Sequence, residues 1–280
     1  MNIICSNFNI KNKITLYNGD CLELLKDIPN KSINLIVTSP PYNMGKEYER
    51  RSKTKEYCIW QKDVIRECYR VLKDSGNLCW QVGNYVDNGE VIPLDLLLYP
   101  IFIELKMKMR NRIVWHFGHG LHASKRFSGR HETIMWFTKS DDYFFNLDPV
   151  RVPQKYPNKK YFKGNKKGEL SCNPKGKNPS DIWDIPNVKN NHVEKTEHPC
   201  QFPVALVERL ILSMTKENDI VFDPFIGSGS SAVASLKNNR RCIGADTEKK
   251  YIEIAKKRIN MTLDGSIKTR EINKPIYNAN

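Results

Sequence analysis

The sequence predicts an α/β protein built on a mostly parallel, doubly wound sheet. Short apolar runs with strand character alternate with segments of helical period along most of the 280 residues. This alternation is typical of parallel sheets covered by helices. Glycine, asparagine or proline follows several of the runs, where strands should end. A hydrophobic content of 40% at this length suits one substantial core, so we expect a single α/β domain.

The predicted elements follow one another in a regular order. The run 14–17 stops at Asn18-Gly19-Asp20, and segment 57–73 has apolar residues three and four positions apart. The first half is predicted to contain strand 14–17, helix 21–27, strand 33–38, helix 57–73, strand 77–82, helix 96–107 and strands 112–117 and 133–137. The second half is predicted to contain helix 203–214, strand 220–223, helix 231–238, strand 242–245 and helix 250–259.

A basic, irregular region separates the two halves. Residues 143–191 are rich in lysine, proline, glycine and asparagine and have little apolar periodicity. A long irregular segment inside a compact domain is usually functional or disordered. We therefore expect residues 1–142 and 192–262 to form two halves of one domain around this insertion, and residues 263–280 to form a mobile tail. The basic character of residues 143–191 comes mainly from Lys155, Lys159, Lys160, Lys163, Lys166, Lys167, Lys175 and Lys177.

Charge and cysteine content limit the class of protein. A net charge of +14 implies a polyanionic partner, with nucleic acid the leading candidate because lysine and arginine neutralise phosphates. The eight cysteines include no C-x-x-C pair, which favours free thiols in a reducing cytosol over zinc binding. No run reaches the roughly 18 apolar residues of a membrane span, and the N-terminus lacks a signal-peptide pattern. We expect a soluble, intracellular protein without a membrane contact.

The end of strand 33–38 carries the motif Ser39-Pro40-Pro41-Tyr42. Two prolines remove two backbone donors, so the strand stops there and leaves carbonyl oxygens without ladder partners. Open α/β folds bind their ligands at this edge of the sheet. A planar ring with an amino group could stack on Tyr42 and donate to the Ser39 hydroxyl and a main-chain carbonyl. By itself, the motif is equally compatible with a rigid turn.

A second motif, Asp223-Pro224-Phe225-Ile226-Gly227-Ser228-Gly229, follows strand 220–223 and precedes a helix. Small residues let a backbone approach a ligand, and a helix N-terminus offers free N–H groups. The next strand ends in Asp246, where an acid can accept both hydroxyls of a ribose. Strand, turn and acid together favour a cofactor that contains a nucleoside.

The details of the turn favour S-adenosyl-L-methionine as that cofactor. A dinucleotide fold would have a G-x-G-x-x-G run, whereas here Ser230 and Ser231 follow the glycines and no basic residue lies nearby for a diphosphate. A P-loop is excluded because no Gly-Lys-Ser/Thr follows. S-adenosyl-L-methionine has no phosphate, and its ammonium and carboxylate suit acids and amides around such a turn.

In this order, the two motifs resemble those of the β-class amino-methyltransferases of prokaryotic restriction–modification systems, over about residues 14–259. The resemblance implies a Rossmann-like methyltransferase sheet with circularly permuted motifs. It implies methylation of an exocyclic amino group of a flipped base in double-stranded DNA, at cytosine N4 or adenine N6. It also implies that residues 143–191 are the target-recognition region, that their lysines bind DNA, and that the protein is cytoplasmic and nucleoid-associated. A cognate restriction endonuclease would be a partner in function, though not necessarily in a complex.

The resemblance further assigns roles to residues. Ser39, Pro40, Pro41 and Tyr42 would be catalytic: Tyr42 stacks on the base, while Ser39 and the Pro40 carbonyl accept from its amino group. The residues assigned to the cofactor are Asp20, His198, Gln201, Asp223, Phe225, Gly227, Gly229 and Asp246. His131 and Glu132 resemble the element that shapes the base pocket. Phe202 stands where the family usually has a lysine, which leaves the role of segment 197–203 less defined.

Several alternatives remain open. Ser rather than Asp at position 39 is commoner among the cytosine-N4 enzymes of the family, so cytosine N4 is favoured and adenine N6 is the alternative. Pro199-Cys200 resembles the nucleophile of cytosine-C5 methyltransferases, but amino methylation needs no covalent thiolate. RNA and protein-glutamine methyltransferases with a similar pocket usually place the glycine motif first. A noncatalytic nucleic-acid-binding module would explain the charge but not the cofactor motif.

A histidine-rich loop invites a metal-site interpretation. His116, His119 and His122 are three residues apart in a glycine-containing loop, with no accompanying cysteine or glutamate. Zinc sites normally combine ligands of these types at other spacings. We therefore predict no metal and favour a loop that faces DNA.

Overall fold

The computed structural model describes residues 3–45, 51–118, 120 and 122–274. The strands are β1 (Ile4–Cys5), β2 (Ile14–Asn18), β3 (Ile33–Thr38), β4 (Leu72–Val82), β5 (Asn84–Asp87), β6 (Glu90–Pro93), β7 (Lys108–His116), β8 (His131–Thr138), β9 (Ile182–Asp184), β10 (Ile220–Asp223) and β11 (Arg241–Asp246). The helices are α1 (Cys21–Asp27), α2 (Thr54–Val71), α3 (Leu94–Glu104), α4 (Val204–Met214), α5 (Ser230–Lys237) and α6 (Lys249–Leu263).

Nine of these strands form one mixed sheet in the order β1-β2-β11-β10-β3-β4-β8-β7-β9, while β5 and β6 form a separate hairpin. The strands from β1 to β4 in this order are parallel. β8 runs antiparallel to both β4 and β7, and β9 is parallel to β7. The predicted α/β class is confirmed. The carboxyl ends of β2, β3, β4, β10 and β11 meet at one edge.

Helices cover both faces of the sheet. Ile36 packs in a cluster with α1, α2 and α3, whereas its neighbours Leu35 and Val37 pack in a cluster with α4 and α5. Successive strand residues point to opposite faces, so a strand buried on both sides is apolar at almost every position. This explains why the run 33–38 is continuous rather than alternating.

Several predicted elements differ from the structure. α2 begins at Thr54, three residues before the predicted helix, and ends at Val71. α3 ends at Glu104 because Lys106 adopts a left-handed φ of +59°, which a helix cannot continue through. The region 143–191 is not irregular throughout, since it contains a 3-10 turn at Asp148–Val150 and the edge strand β9. Among the described residues, no helix is both long enough and apolar enough to span a membrane.

The segment that follows α6 packs against the domain over residues 264–274. Ile267 contacts the cluster formed with α4. The Arg209 guanidinium donates to the Ile272 carbonyl at 3.3 Å, and the Glu194 carboxylate accepts from the Arg270 N–H at 3.0 Å. These contacts involve residues 264–274 of the segment 263–280 that the sequence predicts to be a mobile tail. Residues 275–280 lie outside the described residues.

Candidate active site

A cavity of about 810 Å³ opens at the edge where the parallel strands end. Its wall includes Ser39 to Tyr42 after β3 and Phe225 to Ser228 after β10. Ligands of open α/β sheets bind in this position, and the volume suits a small molecule. The fold therefore brings together two motifs that lie in opposite halves of the chain.

The two prolines shape one side of this cavity. Within the part of the chain that the structure describes, no group donates a hydrogen bond to the carbonyl oxygen of Pro40. The next carbonyl, that of Pro41, accepts from the Tyr57 hydroxyl at 2.9 Å. Loss of the ladder at the prolines thus leaves one carbonyl oxygen available and anchors the other.

A hydrogen-bond network holds the ring of Tyr42. Its hydroxyl accepts from Gln81 Nε2 at 2.7 Å and donates to a Glu132 carboxylate oxygen at 3.1 Å. The Ser39 hydroxyl lies 3.3 Å from the same oxygen of Tyr42. Burial and the charge of Glu132 raise the pKa of Tyr42 well above its usual value, so the phenol stays neutral. Three side chains therefore fix the hydroxyl end of the ring, which suits a stacking platform.

Asp223 organises the glycine turn from behind. Its buried carboxylate accepts from the hydroxyls of Thr38 (2.6 Å) and Ser231 (2.5 Å) and from the Phe225 N–H (3.1 Å). Burial raises the pKa of Asp223 to about 6. Because Thr38 immediately precedes Ser39, the carboxylate joins the two strand ends of the site. Asp223, which the sequence predicts to contact the cofactor, does not line the cavity, and its hydrogen bonds are made to residues of the two strand ends.

The two glycines of the turn lie against different parts of the protein. Gly227 has a φ of +48°, and a Cβ there would lie 2.9 Å from His198 Nε2. Gly229 has a φ of +80°, and a Cβ there would lie 2.8 Å from the Ala255 Cβ. Both positions therefore require glycine. Gly227 lines the cavity, whereas Gly229 lies behind it against α6.

Asp246 ends β11 at the cavity wall. One carboxylate oxygen accepts from the Gly227 N–H at 3.1 Å, and the other accepts from the Glu248 N–H at 2.8 Å. Burial raises the pKa of Asp246 to about 6. Each oxygen keeps a further lone pair. The carboxylate is therefore fixed in place and can still accept hydrogen bonds from a ligand.

Asp20 and Phe225 complete this end of the cavity. Asp20 caps α1, where its carboxylate accepts from the Leu22 N–H at 2.8 Å. Phe225 is half-buried and its ring centroid lies 5.4 Å from that of Trp60 and 6.4 Å from that of Trp80. A wall with both an apolar ring and acids suits a ligand with a flat base and hydroxyl groups.

Segment 194–203 forms another part of the wall. The Gln201 amide is used within the segment, because its nitrogen donates to the Glu194 carbonyl (2.8 Å) and its oxygen accepts from the Thr196 hydroxyl (2.8 Å). The His198 ring lies 4.3 Å from the Tyr251 ring, and its Nδ1 accepts from the Cys200 N–H at 3.2 Å. His198, Cys200 and Gln201 all line the cavity, but the hydrogen bonds of the Gln201 amide are made within the segment that forms the wall.

Some predicted site residues lie outside the cavity. Glu132 lines it, but His131 does not, because neighbouring residues of β8 point to opposite faces. The eight lysines between 155 and 177 are all exposed and none lines the cavity. One of them, Lys175, forms an ion pair with Asp148 at 2.5 Å.

The structure also adds residues to the cavity that the motifs do not contain. Gln81, the partner of Tyr42, is a polar residue at the end of an apolar strand, and this position was a usable signal. Tyr57 and Trp60 line the cavity from α2, where helical spacing made them look like core residues. Lys189 lines it from the loop after β9, a contact that no sequence pattern indicates.

The histidine loop is partly described. His116 Nδ1 lies 2.7 Å from an Asp184 carboxylate oxygen, and His122 Nδ1 lies 3.5 Å from an Arg130 nitrogen. His119 lies outside the described residues. Among those that are described, no group of three or more histidine, cysteine or acidic side chains could hold a metal ion.

Comparisons with known proteins agree on a family. A family model for N6/N4 methyltransferases, described as DNA methylase, matches residues 33–257. The chain is 54% identical over 255 residues to type II methyltransferase M.BglII of Bacillus subtilis, in a match that covers 91% of this chain and 71% of that protein.

Two solved structures share the fold. PvuII DNA methyltransferase (cytosine-N4-specific) has a TM-score of 0.68 at 19% identity, covering 94% of this chain and 96% of its own. TTHA0409, a putative DNA modification methylase from Thermus thermophilus complexed with S-adenosyl-L-methionine, has a TM-score of 0.64 at 26% identity, covering 89% and 96%. The first likeness concerns the fold alone.

Proposed function

The chain belongs to the N6/N4 DNA methylase family, and from that premise we propose that it methylates the N4 amino group of a cytosine flipped out of double-stranded DNA. Family membership makes it an S-adenosyl-L-methionine-dependent DNA amino-methyltransferase. The target base is the part that we propose, and adenine N6 is the alternative.

The groups beside Ser39 support amino methylation at this position. An exocyclic amine is a poor nucleophile because its lone pair is delocalised into the ring. Hydrogen bonds from its two N–H groups to the Ser39 hydroxyl and the free Pro40 carbonyl would favour a more pyramidal nitrogen. A nitrogen–carbon bond then forms as the sulfur–carbon bond of the sulfonium breaks, and the nitrogen loses a proton. Positioning of this kind can supply about 7–11 kcal/mol.

The choice of cytosine rests on the hydroxyl at position 39. The amino edges of cytosine and adenine each present an N–H donor beside a ring-nitrogen acceptor, so hydrogen bonding at this edge does not separate the two bases. The family pattern does separate them, because Ser in place of Asp is commoner among the cytosine-N4 enzymes. Ser39 is therefore the single observation that carries the proposed target.

We assign the cofactor to the end of the cavity formed by Asp246, Phe225, Gly227 and Asp20. The Asp246 carboxylate would accept from the ribose hydroxyls, Phe225 would pack beside the adenine, and Gly227 would allow close backbone approach. Lys189 is the sole lysine or arginine among the described residues of the cavity wall. A wall with so little positive charge suits a cofactor without phosphates.

We further propose that residues 143–191 recognise the target sequence and that their exposed lysines bind DNA phosphates. Tyrosines and a phenylalanine are interleaved with these lysines, and Tyr156 and Phe162 are exposed at 64% and 82%. A basic, aromatic surface of this kind suits a nucleic-acid backbone. Because DNA is the substrate, we place the protein at the nucleoid, where it would protect the sites of a cognate restriction endonuclease.

Mass spectrometry of nucleosides tests the target base. Plasmid DNA is incubated with the protein and S-adenosyl-L-methionine, digested and analysed for both methylated nucleosides. We expect N4-methylcytosine in the wild-type reaction and none with Asp246→Ala, the matched control for cofactor dependence. Detection of N6-methyladenine alone would overturn the assignment to cytosine while leaving amino methylation in place.

A further inference from the structure

A buried ion pair lies behind the cofactor end of the cavity. Glu194 and Arg258 are each only 4% exposed, and one Arg258 nitrogen lies 3.7 Å from a Glu194 carboxylate oxygen. Neither residue lines the cavity. At this distance the contact is electrostatic, and this Arg258 nitrogen makes no hydrogen bond among the described residues. Because buried charges are costly unless they are paired, each partner depends on the other.

Arg258 holds the glycine turn from α6. Its other terminal nitrogen donates to the Ser228 carbonyl at 2.9 Å and lies within hydrogen-bond distance of the Ser228 (3.2 Å) and Ser230 (3.1 Å) hydroxyls. The Ser230 hydroxyl in turn donates to the Phe202 carbonyl at 2.8 Å. Since Ser228 and Ser230 line the cavity, the guanidinium fixes part of its wall from behind.

Glu194 holds the opposite wall. One of its carboxylate oxygens accepts from the Val204 N–H at 2.9 Å, and its carbonyl accepts from the Gln201 amide. Both bonds join the start of the segment that carries His198 to its end, so Glu194 closes this segment into a loop. This segment is in close contact with the turn, because the His198 ring occupies the space beside Gly227.

A fourth contact of Glu194 comes from the segment that follows α6. Its second carboxylate oxygen accepts from the Arg270 N–H at 3.0 Å. We call residues 264–274 the C-terminal strap. The strap is held to the domain on either side of this bond, by Lys237 to Thr269 (2.8 Å) and by Arg209 to Ile272.

We propose that Glu194 is a positioning residue for the cofactor and that the C-terminal strap acts through it. The carboxylate receives the strap, keeps Arg258 on the turn and closes the His198 segment. Loss of the strap bond therefore alters the shape of the cofactor end, while the acceptor end around Tyr42 is untouched. This proposal rests on the cofactor site proposed above and is independent of the target base.

A pair of variants isolates the strap bond. Arg270→Pro removes the N–H that donates to Glu194, whereas Arg270→Ala keeps that N–H and removes the side chain, which donates to the Lys274 carbonyl at 3.2 Å within the strap. Binding of S-adenosylhomocysteine is measured by calorimetry, and binding of DNA by fluorescence anisotropy. For Arg270→Pro we expect about tenfold weaker binding of S-adenosylhomocysteine, the loss of roughly one charge-assisted hydrogen bond. DNA affinity should stay within about twofold of wild type, and Arg270→Ala should match wild type in both measurements.

A second variant tests the carboxylate itself. Glu194→Gln keeps the shape of the side chain but removes the charge that faces Arg258. We expect the KM for S-adenosyl-L-methionine to rise while kcat at saturating cofactor stays close to wild type. Equal affinity of the Arg270→Pro and Arg270→Ala variants, or a parallel fall in cofactor and DNA affinity, would refute the positioning role. If Asp246→Ala binds S-adenosylhomocysteine as wild type does, the proposed cofactor site fails instead.

Discussion

Protonation of Asp246 should weaken cofactor binding within an accessible pH range. Burial raises the pKa of Asp246 to about 6, so in the ligand-free protein the carboxyl group gains its proton as the pH falls through that value. Ribose hydroxyls donate hydrogen bonds, and the ionised carboxylate is the better acceptor. The affinity should therefore be highest above pH 7 and should decrease toward pH 5.

The size of this effect follows from the ionised fraction. At pH 5, a group with a pKa of about 6 is roughly one-eleventh ionised. If the ionised form is the one that binds, the apparent Kd rises about 11-fold, or about 1.4 kcal/mol.

Calorimetric titration with S-adenosylhomocysteine between pH 5 and pH 8 measures this dependence. The Asp246→Asn variant should bind more weakly at pH 8 and show a much smaller pH dependence, because its amide does not titrate while Asp223, whose pKa burial also raises to about 6, remains. The Asp20→Asn variant leaves Asp246 in place and should keep the wild-type dependence. A wild-type Kd that stays constant from pH 5 to pH 8, or a dependence as large in Asp246→Asn as in wild type, would refute the reasoning.

Three further outcomes are expected. Gly227→Ala should lower cofactor affinity at least tenfold by calorimetry, because a left-handed φ costs roughly 1–2 kcal/mol and the new Cβ would lie 2.9 Å from the His198 ring; unchanged affinity would contradict this. Tyr42→Ala should reduce kcat/KM for DNA by about 5- to 150-fold, the 1–3 kcal/mol of one base stack, whereas Tyr42→Phe keeps the ring and should lose much less; equal losses would argue against stacking. Replacing Lys159 and Lys160 by alanine should make the negative slope of log K against log salt for DNA binding shallower by about 2 and leave cofactor affinity unchanged; an unaltered slope would show that DNA phosphates contact other residues.

Local chemistry made much of the site predictable. Prolines at positions 40 and 41 must end a strand whatever surrounds them, and a glycine turn between a strand and a helix has few uses. Asp246 could be identified for the same reason, since a carboxyl group at a parallel strand end lies at the ligand-binding edge. Helix spacing alone, however, could not distinguish Trp60 at the cavity wall from a core residue, because both are apolar on the same helix face.

The alternating α/β order, both motifs and the cofactor class could be read from the amino-acid sequence, because each depends on residues close together in the chain. Which neighbouring residues share a surface depends on the folded chain. The tertiary structure placed Glu132 beside Tyr42 and His131 on the other face, and it buried Asp223 behind the turn. It also bound the C-terminal strap to Glu194, which no local pattern indicates. These contacts join residues far apart in sequence, and their hydrogen bonds exist only once the sheet has brought the strand ends to one edge.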